Sequence, residues 1–541
     1  MANGSHGAQR RDVERLGGGW YVQPGKFGRM FPHLTTYVDA PAAAMADLAA
    51  AMVDVAPGSP GARPDNQDVP AGYTYLGQFV DHDLTFDTTA LSEVKVDPTA
   101  IFNFRTPKLE LDSLYGTGPG GMPHLFEKGG PKFVLGNTTA LPAGAPAPGA
   151  PLPAVPGFDL PRLSQGLAVI GDPRNDENLL VQQTHLAFMR FHNAAVDRLR
   201  ADGTPDRILF EEARREVRWH YQWIVLFDML KRMIDLNELL HVLKNGREWF
   251  TPCCGNDPYM PVEFAGAAYR LGHSMVRERY THNRIFDTPA PFDQFFLFTG
   301  KSGIIGAGLP TFPSNWIIDW RRFFPGVTPT RNALDNVPIP ALPAGKLNFA
   351  RPFDPYLVPA LHALPGPPAG SNEARLAFLN LMRGVRLQLP SGQAVARTLG
   401  LPELTPAQMT APATSTPAEI AALTTHGFDR ETPLWYYILK EAQLLGGALD
   451  SASPPARGST LGPVGSRILA EVFVGLLDED PDSFLMQHPK WSPTFGTVDM
   501  QDMLDPTRTV KRFTMADMLN FVEVEEAKTA GSAPSFINPL G

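Results

Sequence analysis

Cysteine is nearly absent: two in 541 residues, Cys253 and Cys254. Neighbours in sequence make a strained pair, so no disulfide scaffold supports the fold and a reducing compartment is permitted. There is no basic excess either. With 47 Lys and Arg against 56 Asp and Glu the net charge is -9, which gives no footprint for nucleic acid, and small molecules are the expected partners. No apolar run approaches the roughly 20 residues of a membrane span; "WIVLFDML", 223–230, is among the longest. Arg10 and Arg11 lead into "DVERLGGGW" with no apolar stretch behind them, so no secretory signal is visible. The expectation is a soluble protein, cytoplasmic or secreted without a recognisable signal. Nothing in the sequence specifies its oligomeric state.

What is present is an ordinary globular composition, 43% apolar and 19% charged, on a chain long enough to bury a large core. The 49 glycines and 54 prolines gather in residues 1–70, 140–157, 326–370 and 402–417, which read as an extended arm and loops. Between them the periodic signals are helical. The strongest are "ENLLVQQTHLAFMRFHNAAVDRLRAD" from Glu177 and a long run from Ile208 to about 243. Shorter ones fall near 261–278, 371–385, 431–446, 463–479 and 514–527. Alternating strand-like runs are few and short. The predicted fold is mainly α: a largely irregular N-terminal arm, 1–70, and a single large helical domain, 71–541, with long Pro/Gly-rich loops.

Five segments carry polar groups that a packed interior must have a use for, because unpaired polar side chains are costly to bury. In "YLGQFVDHDL", 75–84, a helix puts Gln78, Asp81 and His82 on one face and turns Asp83 about 100° away. In "FRTPKLELDSLYG", 104–116, Thr106, Lys108, Glu110 and Asp112 fall on one side of an extended chain. Such oxygens, with Asp83, suit a hard cation such as calcium, and an exposed acidic strand fits the same pattern. "GDPRNDENLL", 171–180, opens a long helix, with Asn175 or Asp176 as its cap, Glu177 in its first turn and Arg174 just ahead. "AYRLGHSMVRERY", 268–280, sets His273 beside Gly272, where something flat can approach the backbone. "LNLMRGVRLQLP", 379–390, supplies Asn380 and Arg383. Taken singly, a histidine on an apolar helix more often packs than ligates, and His185 and His192 read that way.

Taken together, these segments resemble, in order and spacing, the animal-type haem peroxidases of the peroxidase and cyclooxygenase superfamily. "GQFVDHDLTF" is similar to the family's distal helix motif, "TPKLELDSLYG" to its calcium loop and "GDPRNDEN" to its distal arginine segment. "YRLGH" is similar to the proximal histidine motif and "LNLMRG" to the proximal asparagine segment. The resemblance covers at least 75–390, and the absence of a disulfide pattern resembles a bacterial-type member.

The resemblance implies His273 as the axial ligand of a haem b iron, with Asn380 accepting from its other ring nitrogen. It implies His82 and Arg174 as the catalytic pair on the opposite face, with Gln78 positioning peroxide, water or a halide. Asp81 and Glu177 occupy positions that can form esters with haem methyl groups. Arg270 and Arg383 match residues that contact the propionates, and Asp83, Thr106, Lys108, Glu110 and Asp112 match the calcium ligands. The implied activity is reduction of hydrogen peroxide with oxidation of phenols, halides or thiocyanate, a chemistry used in responses to oxidative stress. Glu110 stands where an aspartate is more usual, and Asn178 replaces a methionine that makes a third haem link in one branch.

Three other readings follow from the same residues. A fatty-acid dioxygenase of the superfamily needs a tyrosine three residues before the axial histidine, where this chain has Arg270; Tyr269 is one residue further away. An "HD" phosphohydrolase would pair His82 with Asp83 on a metal and leave the other segments without a role. A haem or calcium carrier would need no catalytic groups.

Overall fold

The computed structural model describes residues 14–15, 20–21, 25–55, 59, 62–86, 102–142, 151–252, 259–300, 304–305, 309–364, 366–447, 458–529 and 533–541. The cysteine pair lies outside them. The principal helices are α1 Ala42–Ala51, α2 Gly72–Leu84, α3 Leu179–Ala201, α4 Asp206–Ile224, α5 Leu236–Asn245, α6 Leu376–Arg386, α7 Leu434–Leu445, α8 Pro463–Asp478 and α9 Met515–Thr529. Strands of two to five residues form six small sheets among the described residues, the widest three-stranded.

α3 and α4 pack along one another, and α9 and α2 lie against α3. α3 is buried on nearly its whole circumference from Leu179 to His192, and its buried polar side chains are paired, Gln182 donating to Asp159 at 2.9 Å and Thr184 to the Leu180 carbonyl at 2.8 Å, as buried polar groups must be. Phe79 of α2 stacks on Phe188 of α3, ring centres 4.9 Å apart, and both are fully buried. Each such ring contributes roughly 1.5–3 kcal/mol. The α2 N-terminus is seated by Gly72, where a Cβ would come within 2.4 Å of the Phe324 ring.

The run from Ile208 is not one helix. After α4 the chain passes through a π-helical segment, Val225–Leu230, and stops at Ile234. Asp235 then caps α5 by accepting from Asn237 N. The π segment lets Asp228 accept the Tyr73 hydroxyl at 2.7 Å and the Met515 N–H at 2.8 Å, tying α2 and α9 together.

The N-terminal arm is more ordered than its composition suggests. α1 packs against α6, strand β1 (Gly25–Gly28) pairs parallel with Met260–Pro261, and Asn66–Pro70 pairs with Phe349–Ala350. Arg351 donates to Asp54 at 2.8 Å and to Asp65 at 3.0 Å, clamping the arm to the body.

Candidate active site

α2 is helical as its sequence predicts, and its faces divide as the spacing requires. Gln78 and Asp81 are half-buried, whereas His82 and Asp83 are buried. His82 Nδ1–H donates to Asn175 Oδ1 at 2.8 Å, and Asn175 Nδ2 donates to His185 Nδ1 at 3.0 Å. The asparagine therefore fixes the tautomer, leaving the His82 Nε2 lone pair with no hydrogen bond among the described residues. Burial first, then the Arg174 guanidinium, lowers the His82 pKa from its ordinary value, so the ring is neutral near pH 7. Asp83 points the other way, accepting from Leu111 N at 3.0 Å. His82 and Asp83 therefore do not converge as a metal pair, which removes the phosphohydrolase reading.

The Arg174 segment differs in detail from its sequence expectation. Residues Pro173–Asp176 form a 3-10 turn capped by Asp172. The α3 cap is Asn178, whose side chain accepts from Leu180 N and Val181 N. Glu177 thus lies before α3 instead of in its first turn. Asn178 wins because its Oδ1 reaches two of the helix's unpaired N–H groups. Arg174 Nη2 donates to the His82 carbonyl at 2.9 Å and to Asp172 Oδ2 at 2.8 Å, and its guanidinium lies 4.4 Å from the Phe86 ring centre. Gly171 permits the close approach of this segment to the next loop: a Cβ there would sit 2.4 Å from the Ser113 carbonyl. Gln78 Nε2 donates to Glu177, and Asn178 Nδ2 donates to Gln78 Oε1 at 3.1 Å. Asp81 Oδ1 accepts the Thr85 hydroxyl at 3.1 Å.

The stretch holding His273 is a 3-10 turn, Ala268–His273, following a short helix, Val262–Gly266, where the sequence predicts a longer helix. The Asn380 side-chain amide meets His273 Nδ1 at 2.7 Å. Burial, then Arg270 and Arg383, push the His273 pKa down to about 3. The residue is half-buried, and its Nε2 makes no hydrogen bond among the described residues. Nothing lies within 4 Å of a Cβ built on Gly272. Arg270 Nε donates to the Ala265 carbonyl at 3.0 Å, and Trp435 Nε1 donates to the Arg270 carbonyl at 3.3 Å. One cleft joins the two halves: Asp81, Thr85 and Arg174 line it together with Arg270 and Arg383. Tyr269 spans the same interface, its hydroxyl donating to the Gly77 carbonyl at 3.1 Å.

The 106–112 loop wraps around Asp83 but is not the extended strand of the sequence reading. Leu111 turns left-handed with φ 59°, and Asp112–Tyr115 is a helical turn. The Thr106 hydroxyl donates to Glu110, Asp112 accepts from Arg105 Nη1 at 3.2 Å, and the Lys108 ammonium is directed to Asp480, 3.7 Å away. Lys108 can therefore offer a cation only its carbonyl. Burial, then the nearby Asp112 charge, pushes the Asp83 pKa up to about 8. Among the described residues no three His, Cys, Asp or Glu converge as a metal cluster; the expected ligand set mixes carboxylates with hydroxyl and carbonyl oxygens.

Sequence reasoning missed Asp172, Asn175, Arg105 and His185 as parts of this site. Asp172, Asn175 and Arg105 lie inside quoted segments, but Asn175 read as a helix cap and Asp172 and Arg105 carried no signal; His185 read as packing.

Residues 149–296 match the family model for animal haem peroxidase, a span that holds both Arg174 and His273. The fold is likewise that of haem peroxidases. Peroxidase A from Dictyostelium discoideum superposes with a TM-score of 0.53 at 16% identity, covering 86% of this chain and 89% of its own. Fatty acid alpha-dioxygenase from Oryza sativa gives 0.54 at 13% identity, covering 97% and 85%, and that from Arabidopsis thaliana gives 0.52 at 12%, covering 93% and 78%. The segment 149–296 is thus similar to the animal haem peroxidase family. A peroxidase-like protein of Margaritifera margaritifera is 31% identical over 136 residues, 24% of this chain and 16% of that relative's length. Among the described residues no helix is long and apolar enough to cross a membrane.

Proposed function

We propose that the protein is a haem peroxidase that reduces hydrogen peroxide and oxidises small organic donors such as phenols, or halides and thiocyanate. One observation carries the reading. Two histidines on separate segments of one cleft each have Nδ1 tied to an asparagine amide and an Nε2 free of hydrogen bonds among the described residues.

The donor set fits a haem. His273 Nε2 would hold the iron; the Asn380 atom that meets Nδ1 at 2.7 Å is the amide Nδ2, and with that amide turned over its oxygen would take the Nδ1 proton and make the imidazole more basic. Gly272 leaves room for a flat group, and Arg270 and Arg383 are guanidiniums suited to propionates. A bound haem supplies the iron at which the O–O bond of peroxide is cleaved. His82 Nε2 takes the proton from one peroxide oxygen and returns it to the other, as base and then acid. Arg174 stabilises the negative charge on the departing oxygen, and Gln78 holds the incoming molecule. Asp81 and Glu177 are the carboxylates for ester links. Calcium, held by Asp83, Glu110, Asp112, Thr106 and the Lys108 carbonyl, would offset the carboxylate charge around Asp83 and brace α2.

The likeness to fatty-acid dioxygenases supports a second reading, in which a fatty acid is oxygenated. Against it, Tyr269 stands four residues before His273. Its hydroxyl is engaged by Gly77, so it is not turned toward a substrate. Absorption spectra of haem-loaded protein before and after peroxide, followed by turnover with a phenol, test the peroxidase. Oxygen uptake with a long-chain fatty acid and no phenol oxidation would favour the dioxygenase.

A further inference from the structure

Four charges alternate in sign across the described structure from the 106–112 loop to the cleft. Asp112 accepts from Arg105 Nη1 at 3.2 Å; Arg105 Nε donates to Asp172 Oδ2 at 3.0 Å; Asp172 Oδ2 accepts from Arg174 Nη2 at 2.8 Å. Arg174 ends the row, half-buried and lining the cleft. Asp172 and Arg105 are buried, at 0% and 2% exposure, and neither lines the cleft. Asp172 also accepts the Arg174 backbone N–H at 2.9 Å, so it sets both where the residue starts and where its head group ends. The two guanidiniums, aided by its hydrogen bonds, hold its carboxyl well below the usual range despite burial.

We infer that Asp172 and Arg105 are positioning residues for Arg174: Asp172 aims its guanidinium at the cleft, and Arg105 keeps its charge available to an anion there. The second part follows from the order of the charges. An Arg174–Asp172 pair alone is neutral, and a neutral pair attracts an anion weakly. The row of four is neutral as a whole, but Arg105 shares the Asp172 carboxylate and Asp112 lies at the far end, so the positive end of the row, Arg174, is the one turned to the cleft. Charge-assisted bonds between buried groups are strong enough to act at this range. The inference rests on the peroxidase reading, since it concerns an anion held beside haem iron.

The test is fluoride binding to the haem-loaded ferric protein, read from its absorption spectrum, in a double-mutant cycle. Arg174→Ala should weaken fluoride by about tenfold or more, and Asp172→Asn and Arg105→Gln each by at least a few fold, on the scale of one charge-assisted bond. In the Arg174→Ala background neither further change should matter, whereas general damage to the fold would add. Arg105→Lys, which keeps the charge, should restore much of the Arg105→Gln loss. If Asp172→Asn does not fold, Arg105→Gln, Arg105→Lys and Asp172→Glu carry the cycle. Unchanged fluoride affinity in these variants, or effects that persist without Arg174, would overturn the coupling while leaving the peroxidase reading intact. A wild type that takes up no haem would overturn that reading itself, and the inference with it.

Discussion

Asn175 Oδ1 accepts the His82 Nδ1 proton at 2.8 Å while its own amide N–H is given to His185. An amide with both ends engaged cannot turn over, so His82 is held in the one tautomer whose Nε2 can accept a proton. Asn175→Leu should slow the reaction with peroxide by about 10- to 100-fold at near-normal haem content. Asn175→Asp, which still accepts from Nδ1, should recover a large part. Stopped-flow mixing with peroxide measures both; an Asn175→Leu rate equal to wild type would remove the asparagine from the mechanism.

Asp81 and Glu177 are both half-buried, and on the proposed reading they are the carboxylates for ester links. After a few equivalents of peroxide, acidified organic solvent should leave haem on wild type and remove it from the Asp81→Val, Glu177→Val double variant. Peptide mass analysis should find esters and no sulfonium link, since Asn178 stands at the methionine position. Complete extraction from treated wild type would return both residues to hydrogen bonding alone.

Calcium should be structural. Burial, then the neighbouring Asp112 carboxyl, pushes the Asp83 pKa up to about 8, and a divalent ion bound there would stabilise the folded state by binding it selectively. At 100 times the dissociation constant this amounts to about 2.7 kcal/mol. Chelation should lower the unfolding midpoint, and Asp83→Asn should make the midpoint insensitive to calcium. Metal analysis showing none in stable, active protein would contradict the site.

His220 gives a pH dependence that is independent of the cleft. Nδ1–H donates to the Glu216 carbonyl at 2.7 Å and Nε2 accepts from Phe495 N at 3.2 Å, so protonation would cost a bond. Burial pushes its pKa down to about 3. The unfolded chain therefore binds the proton more readily, and stability is lost as pH falls from about 6.5 toward 3, by up to about 1.4 kcal/mol per pH unit for this group. The wild-type minus His220→Gln difference in unfolding free energy should shrink across that window. A constant difference would show that the ring does not titrate as described.

How far the sequence carries can be judged from particular residues. Helices α2, α3, α6, α7, α8 and α9 were legible because their buried stripes repeat at three and four. The break at Ile234 was not, because Asp235 lies between two apolar stretches that share one helical period. His82, Arg174, His273 and Asn380 were singled out by the family resemblance of their segments, since each type alone also fits packing or a solvated surface, and the cleft brings those segments together. Asp172 and Arg105 were not, because their role comes from a contact between loops 67 residues apart that no local pattern encodes. Helix α1 was not legible for a similar reason: it is alanine-rich and packs on α6.

The central claim is that His273 Nε2 binds haem iron and His82 faces the same iron from the other side. The direct measurement is a haemin titration of wild type and His273→Ala, followed in the Soret band before and after one equivalent of peroxide. The account requires one haem per wild-type chain with a spectrum that shifts on peroxide addition, and little or no haem retained by His273→Ala. Stoichiometric, peroxide-reactive haem in His273→Ala would contradict it.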